Sequence, residues 1–273
     1  FLIIFIFFII NCFTGFYLWK LLKSIFIGLP LFIQDLIKID REVFPKYGFW
    51  CYCGLGGSGK TLSMVNYLTQ LKKKYPRVKI FTNFDYEYAD GKINSWRDLL
   101  KITNITVDEI SEKKYKKFVK NSTYKSADLW TEVDLETGEL RYFVRRNHGV
   151  IFGFDEIQLT FDSTNWESAP NNLLEYISQQ RKLHKLILSS SQVFTRINKK
   201  LREQTNIIVE CKSLFLGRVI INKFYNTPDY ITNDEKMDRG ARKRRTVKRD
   251  VFVAHDYIRN LYDTSQIMKE LNK

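Results

Sequence analysis

Residues 49 to 75 read FWCYC, then GLGGSGKT, then LSMVNYLTQLKKKY. An uncharged aromatic run, a glycine-rich loop and a helix-patterned segment thus follow one another without a gap. The first reads as a buried strand over Gly48 to Cys53. In the last, Leu62, Val65, Leu68, Leu71 and Tyr75 fall near one helical face over Lys60 to Tyr75, and Pro76 ends the helix. The middle satisfies Gly-x-x-x-x-Gly-Lys-Thr at Gly54, Gly59, Lys60 and Thr61, with the strand before and the helix after that phosphate binding requires. Glycines let backbone N–H groups turn onto phosphates, and the helix N-terminus adds its positive dipole end. Lys60 then reaches the β and γ phosphates and Thr61 ligates Mg²⁺. The expected nucleotide-contacting set is Gly54, Leu55, Gly56, Gly57, Ser58, Gly59, Lys60, Thr61 and Leu62, with ATP and Mg²⁺ as the bound species.

The second half of such a site is an acid at the end of an apolar strand. VIFGFDEIQ supplies it at Asp155, which holds the metal, and Glu156 follows as the base that accepts a proton from attacking water. The alternative is an acidic pair that merely caps a surface turn. The strand KLILSSSQ ends at Gln192, whose neutral amide senses the γ-phosphate if this strand lies between the other two. Arg181, Arg196 and Arg202 are candidates to complete a neighbouring subunit's site, with Arg181 and Arg202 ranked first.

Strands are expected at 78–84, 150–154, 185–190, 206–211 and 218–224, alternating with helices, which gives an α/β fold. Residues 85–147 are a tyrosine- and lysine-rich insertion with a hairpin turning at Thr137 and Gly138. Its Tyr115, Phe118, Tyr124 and Trp130 either stack on bases of single-stranded DNA or form a core.

The chain of 273 residues is 44% hydrophobic and 27% charged, which excludes disorder as the default. Four cysteines exclude a disulfide framework. The net charge of +14 favours an anionic partner, nucleic acid or membrane. It is concentrated in RGARKRRTVKR, residues 239–249, where Arg242, Lys243, Arg244, Arg245, Lys248 and Arg249 are the expected DNA contacts, with an anionic lipid surface as the rival. Phe1 to Trp19 carries no charge, is long enough to cross a hydrocarbon core, and precedes Lys20 and Lys23. The expected organisation is therefore a transmembrane anchor at 1–23, a juxtamembrane amphipathic segment at 24–45 broken at Gly28 and Pro30, an ATPase domain at 46–235, and a basic segment at 236–273. By the positive-inside rule, a single-pass anchor followed by Lys20 and Lys23 leaves the ATPase domain on the cytoplasmic side of its membrane.

In order, GLGGSGKT, TNF (Thr82 to Phe84), FDEIQLTF (Phe154 to Phe161), QQRKLH (Gln179 to His184), the strand ending in Ser191 and Gln192, and INKKLREQT (Ile197 to Thr205) resemble the FtsK/HerA superfamily of ring-forming ATPases. They are most similar to its Zot-like branch, the filamentous phage assembly ATPases. The resemblance implies a RecA-like P-loop NTPase sheet flanked by helices, with the Gln192 strand between those carrying the phosphate loop and Asp155. It also implies homo-oligomeric ATP hydrolysis, extrusion of single-stranded phage DNA, and contact with coat or assembly proteins. One departure is the span before the phosphate loop; phage-assembly members place it after the ATPase, whereas FtsK and the coupling proteins anchor at the N-terminus.

Overall fold

A computed structural model describes residues 17–93, 95–160, 173–234 and 245–263. Two compact units divide the chain: residues 1–41 with 107–145, and residues 42–106 with 146–273. Residues 85–106, expected to belong to the insertion, cluster with the second unit, which carries the glycine-rich loop.

The strands are β1 (Gly48–Cys53), β2 (Lys79–Thr82), β3 (Asp85–Tyr86), β4 (Gly91–Lys92), β5 (Ile105–Ile110), β6 (Leu129–Val133), β7 (Leu140–Asn147), β8 (Val150–Phe154), β9 (Lys185–Ser191), β10 (Ile207–Leu214), β11 (Val219–Asn226), β12 (Lys248–Val253) and β13 (Tyr262–Asp263). The main sheet has the order β12-β11-β10-β1-β9-β8-β2-β4. From β10 through β1, β9, β8 and β2 to β4 the neighbours are parallel, while β11 and β12 extend the edge in antiparallel fashion. The sheet therefore runs past residue 235: β12, expected in a separate basic segment, is its edge strand.

Both faces of this sheet are covered, which is why its central strands read as continuous apolar runs. On one face Leu62, Val65 and Leu68 of the helix Lys60–Lys74 pack with Tyr52, Ile151, Leu186, Leu188 and Val209. On the other, Phe49, Cys51, Phe152, Phe154 and Ile187 pack with Ile177, Phe194 and Leu201. The alternation of Leu186 and Leu188 against Ile187 follows the period of two along a strand. Burying each such side chain contributes about 1.5–3 kcal/mol, so this double-faced core fixes where the strand ends stand.

The first unit has its own small core of Phe118, Leu129 and Val144, and the sheet β5-β7-β6 carries most of it. The expected hairpin is present, with Gly138 at φ 70°. Phe118 packs on Tyr124 at 5.2 Å between ring centroids, and Trp130 stacks on Phe143 at 5.8 Å, so these aromatics serve packing.

The helix Tyr17–Lys38 continues through Gly28 and Pro30, where a break was expected. Proline removes one backbone N–H from the ladder but leaves the remaining bonds of the turn. Its apolar side chains are exposed, Phe26 at 78%. Among the described residues no helix is long and apolar enough to cross a membrane. The anchor expected at 1–23 lies mostly on residues 1–16, outside the described residues.

Lys185 opens β9 inside the apolar core at 2% exposure. Its Nζ donates to the Leu99 carbonyl at 2.9 Å and lies 4.5 Å from the Tyr176 ring centroid. Burial lowers its pKa from 10.5 to about 8. Between those values the unfolded chain binds a proton that the folded chain does not, so this group's contribution to stability rises with pH across that window. The expected result is a melting temperature that climbs between about pH 8 and pH 10 in wild type relative to Lys185→Met. Identical slopes in thermal melts of the two proteins would show that Lys185 is not the group responsible.

Candidate functional site

The register of three strands brings the sequence-identified residues together. β1 pairs with β9 so that Tyr52 faces Ser190 and Cys53 faces Ser191, and β9 pairs with β8 so that Phe154 faces Ser189. The phosphate loop, Gln192 and the Asp155–Glu156 pair therefore leave the same edge of the sheet at nearly the same level. The strand ending at Gln192 lies between the other two, as the resemblance implied.

Two glycines of the loop are required by its path. Gly54 has φ 156°, and a Cβ there would stand 2.8 Å from the Cys211 backbone carbonyl oxygen, which cannot move aside. Gly59 adopts φ 86° as the residue preceding the helix Lys60–Lys74. That conformation strains any residue with a Cβ. The helix has no acid in its first turn and no side-chain cap, so its leading N–H groups keep no side-chain acceptor. An anion would satisfy them, aided by the dipole. Ser58 Oγ is buried without a hydrogen-bond partner among the described residues. An oxyanion fits these unspent donors.

Asp155 is buried, and its Oδ1 accepts from two hydroxyls: Thr61 Oγ1 at 2.8 Å and Ser190 Oγ at 2.5 Å. Hydrogen bonds to a charged group contribute about 1.5–3 kcal/mol each, which offsets the cost of removing the carboxylate from water. Asn83 clamps the same residue through its main chain. The Asp155 N–H donates to Asn83 Oδ1 at 2.7 Å, and Asn83 Nδ2 donates to the Asp155 carbonyl at 3.0 Å. A hydroxyl and a carboxylate 2.8 Å apart are hard oxygen donors of the kind Mg²⁺ takes, in small number, beside phosphate oxygens and water.

Glu156 sits at φ 46°, a left-handed conformation costing on the order of 1–3 kcal/mol for a residue with a Cβ. Its N–H donates to Ser190 Oγ at 2.9 Å, which helps hold that turn. The turn aims its carboxylate back over the loop: Oε1 stands 3.8 Å from Lys60 Nζ, and Oε2 accepts from Gln158 Nε2. Lys60 is itself buried and also donates to the Leu55 carbonyl at 3.3 Å. A cation and a carboxylate at this separation attract by about 1–4 kcal/mol as the effective dielectric falls from water to a protein surface.

Beside the loop opens a cleft of 550 Å³ lined by Gly54 to Ser58, by Gln192 to Thr195 and by Glu210 to Ser213, with Lys223 and Tyr230. That volume lies within the usual range for small-ligand sites. Gln192 is exposed at its wall. Lys212 and Lys223, which sequence reading passed over, bring two cations to the same cleft; adjacent antiparallel strands place them there, and no motif marks them. Ser190 was equally unmarked inside a triple serine, and Asn83 carried only its place in TNF.

The arginines stand elsewhere. Arg181, in the short helix Gln180–Leu183 before β9, lies at the opposite edge of the sheet, 5.7 Å from the Tyr47 ring centroid. Arg202, in the helix Lys199–Gln204, is half-buried, and neither residue lines the cleft. Of the expected DNA contacts, Arg242, Lys243 and Arg244 lie outside the described residues. Arg245 is exposed, and Lys248 and Arg249 are exposed on β12.

No family model and no curated protein matches the chain. Among solved structures it is similar to the N-terminal domain of zonular occludens toxin from Neisseria meningitidis, with 16% identity, coverage of 80% of this chain and 100% of that one, and a TM-score of 0.44. It is also similar to the genome packaging NTPase B204 from Sulfolobus turreted icosahedral virus 2 in complex with AMP, with 11% identity, coverage of 66% and 93%, and a TM-score of 0.36. A third is Thermomonospora curvata EccC (ATPases 2 and 3), with 11% identity, coverage of 68% and 36%, and a TM-score of 0.38.

Outer-shell groups that orient a metal ligand typically matter 10–100-fold in affinity. Asn83→Ala is therefore expected to weaken the apparent Mg²⁺ affinity of nucleotide binding by about 10-fold or more, read by Mg²⁺ titration with a fluorescent ATP analogue. An unchanged midpoint would remove Asn83 from the site.

Proposed function

We propose that the chain is a membrane-associated, Mg²⁺-dependent ATPase that assembles into a homo-oligomer and moves DNA, in single-stranded form, during virion assembly. The observation that carries the ATPase reading is the convergence of Lys60, Thr61, Asp155 and Glu156 at one strand edge, with the strand that leads to Gln192 lying between those that lead to the loop and to Asp155. The membrane and DNA parts draw on the uncharged run Phe1 to Trp19, the exposed apolar helix Tyr17–Lys38 and the basic run 239–249.

Thr61 and Asp155 would hold Mg²⁺, which when bound offsets phosphate charge. The chain's own groups do the rest. Backbone N–H groups of the loop orient the phosphates, and Lys60, turning from the Leu55 carbonyl, balances negative charge on the terminal phosphoryl group. Glu156 accepts the proton of the attacking water, and Gln192 orients that water or reports the γ-phosphate to β9. Arg181 or Arg202 completes a neighbour's site, which couples turnover to assembly.

Lys60→Ala is expected to lose nucleotide binding. Glu156→Gln retains binding while turnover falls by about 10²–10⁴-fold, the usual weight of a positioned base. Steady-state phosphate release with increasing single-stranded DNA tests the motor: stimulation that vanishes in Lys60→Ala is the expected result. Tight ATP binding with a flat DNA response would instead indicate a nucleotide-gated scaffold.

A further inference from the structure

The sheet edge opposite the phosphate loop carries charge that the nucleotide site does not use. The parallel strands begin there, and the pairs Ile207–Asn226 and Phe224–Lys248 bring the end of β11 and the start of β12 to the same edge. The helix Lys60–Lys74 also ends there.

Lys46 and Lys248 stand over adjoining aromatic rings, and Lys74, at the end of the helix Lys60–Lys74, acts on Lys46 through its charge. Lys46 Nζ donates to Tyr67 Oη at 2.5 Å and stands 4.8 Å from the Tyr67 ring centroid and 5.7 Å from that of Trp50. Trp50 and Tyr67 stack at 5.2 Å, and Lys248 Nζ lies 5.4 Å from the Phe224 ring centroid. Burial first, then the charges of Lys74 and Lys248, lowers the pKa of Lys46. The Tyr67, Trp50 and Phe224 rings form a floor under Lys46 and Lys248, Lys74 lies 5.6 Å from the Tyr75 ring centroid, and among the described residues none of the three lysines forms an ion pair with a carboxylate. Exposed Lys73, Lys79 and Lys182 extend the basic edge.

We propose that this edge docks on an anionic lipid surface, with lipid phosphates seated among Lys46, Lys74 and Lys248. Cations without counter-ions gain most from an anionic plane, and tryptophan and tyrosine suit a headgroup boundary. Chain connectivity favours lipid over nucleic acid. Lys46 follows Lys38, the end of the exposed apolar helix, by eight positions. Fully extended, that stretch reaches at most about 28 Å. A membrane that buries that helix keeps the basic edge close to its headgroups. The inference rests on the membrane-associated reading above.

The test uses the full chain with vesicles of phosphatidylcholine alone or mixed with phosphatidylglycerol, sedimented and then acetylated with a water-soluble reagent. Mass spectrometry reads Lys46, Lys74 and Lys248 against Lys199, which is exposed elsewhere in the same unit. The expected result is about fivefold slower acetylation of the three on anionic vesicles, with Lys199 unchanged. In the exposed-site variant Lys74→Glu with Lys248→Glu, the protection of Lys46 is expected to disappear. Retention on both vesicles with no difference in labelling keeps the membrane anchor and overturns the docking. Retention on anionic vesicles alone, with the lysines protected, keeps the docking and removes the anchor. Protection by added single-stranded DNA on neutral vesicles, without any from anionic lipid, overturns the proposal in favour of a nucleic-acid surface.

Discussion

The parallel register of β1, β9 and β8 is the constraint on which the rest depends. Side chains alternate faces along a strand, so a slip of one residue would send Ser190 to the opposite face and part it from Asp155. With the register observed, Ser190 ties the Asp155 carboxylate to the Glu156 backbone, while Thr61 meets the same oxygen from the first turn of the loop's helix. Three segments far apart in sequence are thereby joined through one oxygen atom. The double-faced apolar core supplies the energy that holds this register, and the polar groups at the strand ends inherit its precision.

Strain and burial concentrate where the chemistry is expected. Glu156 occupies a left-handed conformation, Lys60 is withdrawn from solvent, and Ser189, Ser190 and Ser191 are all buried in a central strand. An apolar strand would be the more stable choice at those serines, and only Ser190 has a visible task at the site. The left-handed turn at Glu156 likewise has a local reason, since it carries the carboxylate back toward Lys60 instead of onward into the helix that follows.

Much of this was legible in the sequence because phosphate loops and strand-end acids are short, contiguous signals. GLGGSGKT fixed the position of Lys60 and Thr61, and VIFGFDE that of Asp155 and Glu156. Strand order was not legible, because spacing does not say which strands adjoin; it entered only through the resemblance. Asn83, Ser190, Lys212 and Lys223 were missed for a related reason: each matters through a partner on another strand. The helix Tyr17–Lys38 shows the opposite failure. Gly28 and Pro30 are local breakers, and local signals gave a break where the backbone continues.

The proposed activity requires that Thr61 and Asp155 form the metal-holding half of a nucleotide site. The most direct measurement is ATP affinity with and without Mg²⁺ for wild type and Asp155→Asn, by calorimetry on the full chain. Mg²⁺ is expected to tighten ATP binding in wild type and to have little effect in the variant, while metal-free affinity is similar in both. Equal Mg²⁺ dependence in the two proteins would contradict it.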